Sequence, residues 1–362
     1  MLRDLTCHDD GETPHAVELV VDTIEAALAK AWPTVAIHRD PGPRVVTVKD
    51  NYDRLRYSVD AVTRDARYSR YLGEGRMLRS HTTARVPTLL DQLAATGDPA
   101  LADSIPQAPW NERLLSVPGI CYRRDGIDRR HVGEPHQLDL WLIRRSGPRL
   151  TGDDLEAMVA TVVTALLPGR RWRTVPNVHP YTVDGREIYV GSVEVGECGL
   201  AHPDVLAGSG LPPTASGLAM GLGLDRLVML VKGIDDIRLL RSTDPRVVAQ
   251  LGDLRPYRRV SPMPAARRDL SIAVGDDLDE ELLGDRVRTA LGDDARLVEE
   301  VRILSETSYV DLPEAARERM GMRPGQRNLL IRVMLRDLEA TLTADRANLV
   351  RDRLYEALHE GG

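Results

Sequence analysis

A stretch rich in glycine and leucine, SGLAMGLGLDRLVMLVKGIDDIRLL (216–240), contains the residues with the most evident chemical potential. Apolar side chains at every second position from 218 to 224 predict a strand with one buried face. The apolar residues that follow take helical spacing, which predicts a helix that ends near Gly233. Gly221 and Gly223 leave the strand bare enough for a flat ligand to lie against its backbone.

Arg226 lies where the predicted strand meets the helix, and a guanidinium fixed there could bind a phosphate or stack on a base. Spacing alone favours a tightly packed strand–helix corner instead. The sequence GLGLDR, however, resembles motif 3 of the class II aminoacyl-tRNA synthetases, and the whole stretch is similar to the phenylalanyl-tRNA synthetase version. This resemblance implies that Gly221, Gly223 and Arg226 bind ATP and that Ala219 forms the floor of the amino-acid pocket.

A second candidate region is a strand predicted over residues 136–143, after a polar loop. Its leucines face one way, and Gln137, Asp139 and Trp141 share the opposite face. The leucine face is predicted to pack on the core. From the pattern alone, the face with the amide, the carboxylate and the indole is interpreted as a solvated sheet surface.

The loop and strand together, YRRDGIDRRHVGEPHQLD, resemble motif 2 of the same family. By this resemblance Arg123 grips the ATP α-phosphate, with Asp125 as the neighbouring acid, and His131 lies near the triphosphate. Gln137 and Asp139 match the residues that receive the substrate's ammonium group. The residue types suit these roles, because a carboxylate and an amide oxygen can hold an ammonium, and an arginine can neutralise charge building on phosphorus.

Two further segments resemble parts of the amino-acid site in that family. MLRSHTTARV is similar to its LRTHTS segment, with His81 and Thr83 as the matching residues. The two threonines there are also explained as helix caps. HPYTVD matches FPFTEP, in which two Phe rings normally sandwich the substrate side chain, so His179 and Tyr181 take the Phe positions.

Glu194 matches a family acid near the ATP–metal site, and the resemblance therefore implies Mg²⁺ at Glu194. A single strand is predicted over IYVGSVEV (188–195) around it. The chain also departs from the family: Val86 replaces a Gln, Val183 replaces an acid associated with Mg²⁺, and Asp139 is shortened from Glu.

The identity of the amino acid stays open at this point. Polar edges on His179 and Tyr181 would suit a hydroxylated or otherwise polar aromatic substrate, since an unpaired buried polar group costs about 1–3 kcal/mol. Against this, the chain contains no Phe at all, so these residues are also explained as general replacements for Phe.

Helices over residues 15–31 and 150–167 are predicted from amphipathic spacing, with Thr151 as the N-cap of the second. After a linker, the order strand, helix, strand, strand, helix predicts a ferredoxin-like α+β sandwich. This region resembles the ferredoxin-fold anticodon-binding domain of phenylalanyl-tRNA synthetases. Phosphate contacts to tRNA are then expected from Arg267, Arg268, Arg332 and Arg336.

The predicted fold class is α+β: a class II synthetase catalytic domain built on an antiparallel sheet with helices, followed by the ferredoxin-like domain. The domains are predicted as an N-terminal extension at 1–44, the catalytic core at 45–250 and the anticodon-binding-like domain at 256–362.

Composition sets wider limits on the 362-residue chain. It is 42% hydrophobic and 28% charged, as in ordinary globular proteins. A net charge of −7 is not the general signature of a nucleic-acid binder, so RNA contacts would need local basic patches. The cysteines are too few and too scattered for a disulfide framework or a zinc site, and no apolar run reaches membrane-spanning length. A reducing cytoplasm is the predicted location, with no membrane partner.

The predicted function is ATP-dependent activation of an aromatic amino acid, phenylalanine before others, and its transfer to the 3′ end of a tRNA. The resemblance implies a ligase that uses ATP and Mg²⁺, with Arg123, Arg226 and His131 as the catalytic residues, and a monomer or homodimer is expected. One alternative is a paralogue that activates a modified or polar aromatic amino acid for a carrier protein or small-molecule pathway. Another is a non-catalytic tRNA-binding regulator.

Overall fold

A seven-stranded mixed sheet carries the central part of the chain in this computed structural model. The structure describes residues 3–9, 11–95, 110–124, 126–260 and 263–362. The chain divides into two compact units. Unit 1 consists of Met1–Arg123, Glu134–Ile234 and Gln250–Pro256, and unit 2 of Arg124–Gly133, Asp235–Ala249 and Tyr257–Gly362. The domain boundaries given above stay a prediction, and the compact units divide the chain at other places.

Unit 1 contains the large sheet, with strand order β1-β5-β6-β10-β9-β8-β7, and a small sheet of order β2-β4-β3. Only β1 and β5 pair in parallel within the large sheet; its other pairs are antiparallel. The strands are β1 Ala36–Arg39, β2 Val45–Thr47, β3 Tyr71–Gly73, β4 Arg76–Leu78, β5 Glu112–Ile120, β6 His136–Arg144, β7 Trp172–Pro176, β8 Thr182–Val190, β9 Val193–Ala201 and β10 Ser216–Gly223. The helices are α1 Ala16–Ala31, α2 Val48–Asn51, α3 Val86–Ala94, α4 Gly152–Leu166, α5 Pro203–Gly208 and α6 Leu224–Lys232.

The two predicted amphipathic helices are confirmed as α1 and α4, and local sequence explains where each begins. The His15 side chain caps α1 by accepting a hydrogen bond from Val17 N–H. Thr151 caps α4, and Asp154 returns the hydrogen bond to the cap, which is a complete capping box. The two helices contact each other and bury their apolar faces. Among the described residues, no helix has the length and apolar character needed to cross a membrane.

The predicted strand-to-helix junction is also confirmed. β10 ends at Gly223, α6 starts at Leu224, and Gly233 closes the helix in the left-handed conformation (φ 68°). Along β10 the glycines differ in role. A Cβ on Gly217 would lie 2.9 Å from Ile143 Cδ1 and 3.0 Å from Ala201 Cβ, so packing, rather than a ligand, explains that glycine.

The prediction of one strand over residues 188–195 is wrong. Gly191 and Ser192 form a two-residue turn, and β8 and β9 fold back on each other as an antiparallel hairpin. Gly191 has φ 62°, a conformation that glycine adopts at little cost, and this explains the turn. The consequence is that β9, not β8, carries Glu194 and the residues after it beside β10.

Unit 2 has an antiparallel sheet of strand order β11-β13-β12 with helices packed on it. The order strand, helix, strand, strand, helix agrees with the predicted α+β sandwich, with a short additional helix, α9, before β13. Its elements are α7 Pro245–Val248, β11 Ala266–Gly275, α8 Glu280–Leu291, β12 Val298–Ser308, α9 Glu314–Arg319, β13 Gln326–Leu335 and α10 Ala344–Leu358.

Gly196 is the tightest packing position in the middle of the large sheet. A Cβ there would meet the carbonyl oxygen of Gly221 and lie 3.0 Å from Leu222 Cα, and backbone atoms cannot move aside. We therefore expect Gly196→Ala to lower the free energy of unfolding by about 3 kcal/mol in a urea titration. Gly208→Ala is the control, because nothing lies within 4 Å of a Cβ there. Equal stability of the two variants would contradict the packing at Gly196.

Candidate active site

Three neighbouring strands place a row of residues directly opposite one another on one face of the large sheet. Gly221 of β10 pairs with Asp139 of β6 on one side and with Glu197 of β9 on the other. Because side chains alternate along strands, the next row on the same face is Trp141, Ala219 and Gly199. Asp139 and Ala219, both predicted for the amino-acid site, are therefore neighbours on this face.

Asp139 is buried at the centre of a hydrogen-bond cluster, with 3% of its surface exposed. It accepts hydrogen bonds from Thr82 Oγ1 at 2.8 Å, Thr83 Oγ1 at 3.0 Å and Trp141 Nε1 at 3.4 Å. Burial raises the pKa of Asp139 to about 6 although these hydrogen bonds oppose the shift. The interpretation of this strand face as a solvated surface is thus wrong. The threonine hydroxyls bind this carboxylate and do not cap the following helix.

Glu197 is a residue of the site that sequence reasoning missed. Its carboxylate accepts a hydrogen bond from Tyr181 Oη, and its Oε2 lies 3.0 Å from His179 Nε2. Burial alone would raise the pKa of Glu197, but the contact with His179 and the Tyr181 hydrogen bond outweigh it and lower the pKa to about 2. Recognising the turn at Gly191 would have placed Glu197 on β9 beside Gly221.

Four aromatic rings stand next to these carboxylates and are called here the aromatic wall: Tyr57, Trp141, His179 and Tyr181. Tyr181 is the centre of the wall, with ring centroids 6.1 Å from Trp141, 6.2 Å from His179 and 6.3 Å from Tyr57. The structure therefore brings together His179 and Tyr181, the two residues predicted at Phe positions. Tyr57 was not predicted, because it lies in a polar segment without periodicity.

His81 extends the wall, and its ring is stacked on Tyr57 with centroids 5.7 Å apart. It is 9% exposed, and both ring nitrogens are buried without a hydrogen-bond partner. Burial, followed by the nearby charge of Arg123, lowers the pKa of His81 to about 3, so the imidazole is neutral at physiological pH. An orphaned donor and acceptor in a buried site indicate a place for a polar ligand.

The groups predicted to bind ATP occupy the end of β10. Arg226 NH1 donates to the Glu194 carboxylate at 2.7 Å and to the Glu194 carbonyl oxygen at 3.2 Å. Gly223 leaves open space beside this pair, since the nearest atoms to a Cβ there are 3.8 and 3.9 Å away. Arg123 Nε donates to the Ser80 carbonyl oxygen at 2.7 Å, which fixes its guanidinium next to the His81 segment.

Two predicted residues are not placed with this group, and a third is placed beside it. Asp125 lies outside the described residues. His131 belongs to unit 2, where its Nδ1 lies 2.7 Å from Asp128 Oδ2. Gln137 is on β6 directly opposite Gly223, and its side-chain oxygen accepts a weak hydrogen bond from Cys121 Sγ at 3.3 Å. The roles of these residues in substrate binding stay predictions.

Residues 10–251 match the family described as tRNA synthetases class II core domain (F). The chain belongs to this family. The match confirms the predicted resemblance and the predicted α+β class, and such synthetases use ATP. Strands β5, β6, β9 and β10, which carry the aligned motifs, all lie within the matched range.

Curated relatives of this class II synthetase are phenylalanine–tRNA ligases. The chloroplastic/mitochondrial enzyme of Arabidopsis thaliana is 28% identical over 338 residues, which cover 87% of this chain and 70% of that protein. The alpha subunit of Gloeobacter violaceus is 27% identical over 226 residues, covering 58% of this chain and 61% of that subunit. The chain thus spans only part of its relatives' length. A pyrrolysyl tRNA synthetase, PylSc of Desulfitobacterium hafniense, has a TM-score of 0.47 at 17% identity, covering 62% of this chain and 72% of that one, too weak a likeness to bear on function.

The arginines predicted to contact tRNA differ in their surroundings within unit 2 of the synthetase. Arg336 is bound to the Glu299 carboxylate, which is 3% exposed, and to the Met263 carbonyl oxygen. Arg332 forms a bidentate pair with Asp269 at 2.8 and 2.7 Å. Arg268 donates to Asn348 Oδ1 at 2.9 Å, while Arg267 is exposed. Arg336 therefore stabilises unit 2, and Arg267 is the most solvent-exposed of the four arginines.

The raised pKa of Asp139 makes stability depend on pH in a defined direction. Between the ordinary value of 3.8 and about 6, the native state keeps a proton that the unfolded chain has released, so stability falls as pH rises. Relative to Asp139→Asn, the wild type should lose about 3 kcal/mol of unfolding free energy across this window. Urea titrations at several pH values measure the difference. A difference independent of pH would show that folding does not raise the pKa of Asp139.

Proposed function

We propose that this protein activates phenylalanine with ATP and transfers the phenylalanyl group to the 3′ end of a tRNA. The observation that carries the proposal is the arrangement on one sheet face. The aromatic wall stands next to the carboxylates of β6 and β9, and the Arg226–Glu194 pair joins the helix that follows β10 to β9. The fold family supplies the class of reaction, and the names of the relatives supply phenylalanine and tRNA as the substrates.

The residues of the chain act by positioning and by charge stabilisation. Arg123 and Arg226 bind the phosphates of ATP, and the aromatic wall holds the benzyl side chain over Ala219. Gln137 and Asp139 are the predicted contacts for the ammonium group. The substrate carboxylate then attacks the α-phosphorus, pyrophosphate leaves, and the aminoacyl group passes to a terminal ribose hydroxyl of the tRNA.

Mg²⁺ is part of the proposal, with Glu194 as the protein contact. Within the described ranges, no group of three or more His, Cys, Asp or Glu side chains could hold a metal by itself. Mg²⁺ is commonly held by one or two carboxylates together with substrate phosphates, so a single carboxylate beside the ATP groups fits. Bound Mg²⁺ would neutralise phosphate charge. Asp184 does not replace the acid missing at Val183, because it pairs with Arg186 at 2.6 Å and lies near the start of α4.

The structure bears on the choice between phenylalanine and a polar aromatic substrate. The Tyr181 hydroxyl donates to Glu197 and therefore requires no polar group on the substrate. His179 Nε2 lies 3.0 Å from Oε2 of the same carboxylate. The wall presents ring surfaces instead, which suit a plain benzyl side chain. This favours phenylalanine over the hydroxylated substrates of the paralogue alternative.

The assembly and the location of the protein remain predictions. A monomer or homodimer is expected from the sequence, whereas several relatives are named alpha subunits, a name used for one chain of a larger enzyme. A cytoplasmic location is likewise expected, and the Arabidopsis relative is named chloroplastic/mitochondrial.

ATP–pyrophosphate exchange tests the activation step directly. We expect exchange that depends on phenylalanine and is much weaker with tyrosine. Arg226→Gln should lower kcat/KM roughly a hundredfold, because a preorganised charge on the phosphates is lost. Arg173→Gln is the matched control, since Arg173 is exposed and rests on the Tyr189 ring. Absence of exchange with phenylalanine in the wild type would contradict the proposal.

The role of unit 2 in tRNA binding is tested by comparing two arginines. Arg267→Ala should raise KM for tRNA in aminoacylation and lower the salt slope of tRNA binding by about 0.7–0.9, with pyrophosphate exchange unchanged. Arg336→Ala should instead lower the free energy of unfolding by about 2 kcal/mol, because Glu299 loses a partner. Unchanged tRNA binding in Arg267→Ala would argue against this contact.

A further inference from the structure

The space above Gly221, between Asp139 and Glu197, is called here the Gly221 niche. A Cβ on Gly221 would lie 3.6 and 3.7 Å from Glu197 Cγ and Oε1, and 3.8 Å from Asp139 Oδ2. These are ordinary contact distances, so the niche is open to an atom of that size. A ligand atom placed there touches both carboxylates at once.

The two carboxylates are not equally available to a ligand. Asp139 accepts three hydrogen bonds, from Thr82, Thr83 and Trp141. Glu197 has one contact on each oxygen, with Tyr181 and His179. The Asp139 side chain is buried, and its raised pKa leaves only a small part of it protonated near neutral pH. Glu197 has 40% of its side-chain surface exposed and is fully ionised in the same pH range. The stronger and more accessible negative charge of the niche is therefore on Glu197.

We infer that Glu197 is the principal carboxylate that binds the α-ammonium group of the amino-acid substrate, over Gly221, with Asp139 as the second contact. The inference rests on the proposed function, which supplies the amino acid. Charge-assisted hydrogen bonds between an ammonium and a carboxylate are among the stronger ones in proteins. A carboxylate or phosphate group of the ligand does not suit the niche, because the carboxylates of Asp139 and Glu197 would repel it.

His81 provides an independent indication that a polar ligand belongs here. Its two ring nitrogens are buried and have no hydrogen-bond partner, and it directly precedes the threonines that hold Asp139. His81 is stacked on Tyr57, and Tyr57 lies 6.3 Å from Tyr181, whose hydroxyl donates to Glu197. A neutral imidazole has one donor and one acceptor, and an amino acid brings both an ammonium and a carboxylate to such a site.

Glu197 could instead serve only to hold Tyr181 and His179 in the aromatic wall. The two roles are separable, because Glu197→Gln keeps a side-chain oxygen that can accept the Tyr181 hydrogen bond but removes the charge. A purely structural role predicts that every ligand of the wall is affected alike. The ammonium role predicts an effect only on ligands that carry an ammonium.

The test compares two ligands that differ only in the ammonium group: phenylalaninol and 3-phenylpropan-1-ol. Their dissociation constants are measured by NMR titration of the wild type and Glu197→Gln. We expect Glu197→Gln to weaken phenylalaninol roughly tenfold to a hundredfold and to leave 3-phenylpropan-1-ol unchanged. Glu187→Gln is the matched control. Glu187 is paired with Glu197 in the sheet but lies one strand farther from Gly221 and is bound by Asn177 and Tyr189.

Equal weakening of both ligands, or no change in either, would overturn the inference. Thermal unfolding establishes that the variants fold. If Glu197→Gln does not fold, Glu197→Asp and Glu197→Ala are compared instead. Glu197→Asp keeps the charge and should retain most of the affinity for phenylalaninol that Glu197→Ala loses. An equal loss of affinity in both variants would also overturn the inference. Phenylalanine-dependent exchange by the wild type is measured in parallel. Absence of this exchange would contradict the proposed function. A selective loss of phenylalaninol binding tests only the role of Glu197.

Discussion

The pairing of β10 with β6 on one side and β9 on the other is the constraint on which the rest of the site depends. This register sets Asp139, Gly221 and Glu197 in one row and Trp141, Ala219 and Gly199 in the next. A shift of one residue would turn every one of these side chains to the opposite face. Gly196 and Gly199 make the register possible, because a Cβ at either would meet atoms of a neighbouring strand at 3.0 Å or less.

The charges on this face are balanced by specific neighbours. Burial raises the pKa of Asp139 to about 6, and the negative charge of Glu197 adds to the shift. Glu197 is kept ionised by His179 and Tyr181. His179 and Tyr181, which were predicted to match Phe positions of the family, both contact the Glu197 carboxylate within the aromatic wall. Two carboxylates of different character result, one inside the sheet cluster and one facing the site.

Local patterns predicted the elements but not the contacts between them. Helical spacing and capping residues were enough for α1, α4 and the β10–α6 junction, because those signals lie within one segment. Asp139 was placed by resemblance, but its hydrogen bonds to Thr82 and Thr83 join segments more than fifty residues apart, which no local pattern reveals. The missed turn at Gly191 concealed Glu197.

The central claim is that an amino acid lies over β10 with its ammonium in the Gly221 niche and its ring against the aromatic wall. A crystal structure with a non-hydrolysable phenylalanyl-adenylate analogue tests this most directly. The account predicts the ammonium nitrogen within hydrogen-bonding distance of the Glu197 carboxylate, and the adenylate phosphate near Arg123 and Arg226. An ammonium bound away from Glu197, or a ring outside the wall formed by Tyr57, Trp141, His179 and Tyr181, would contradict it.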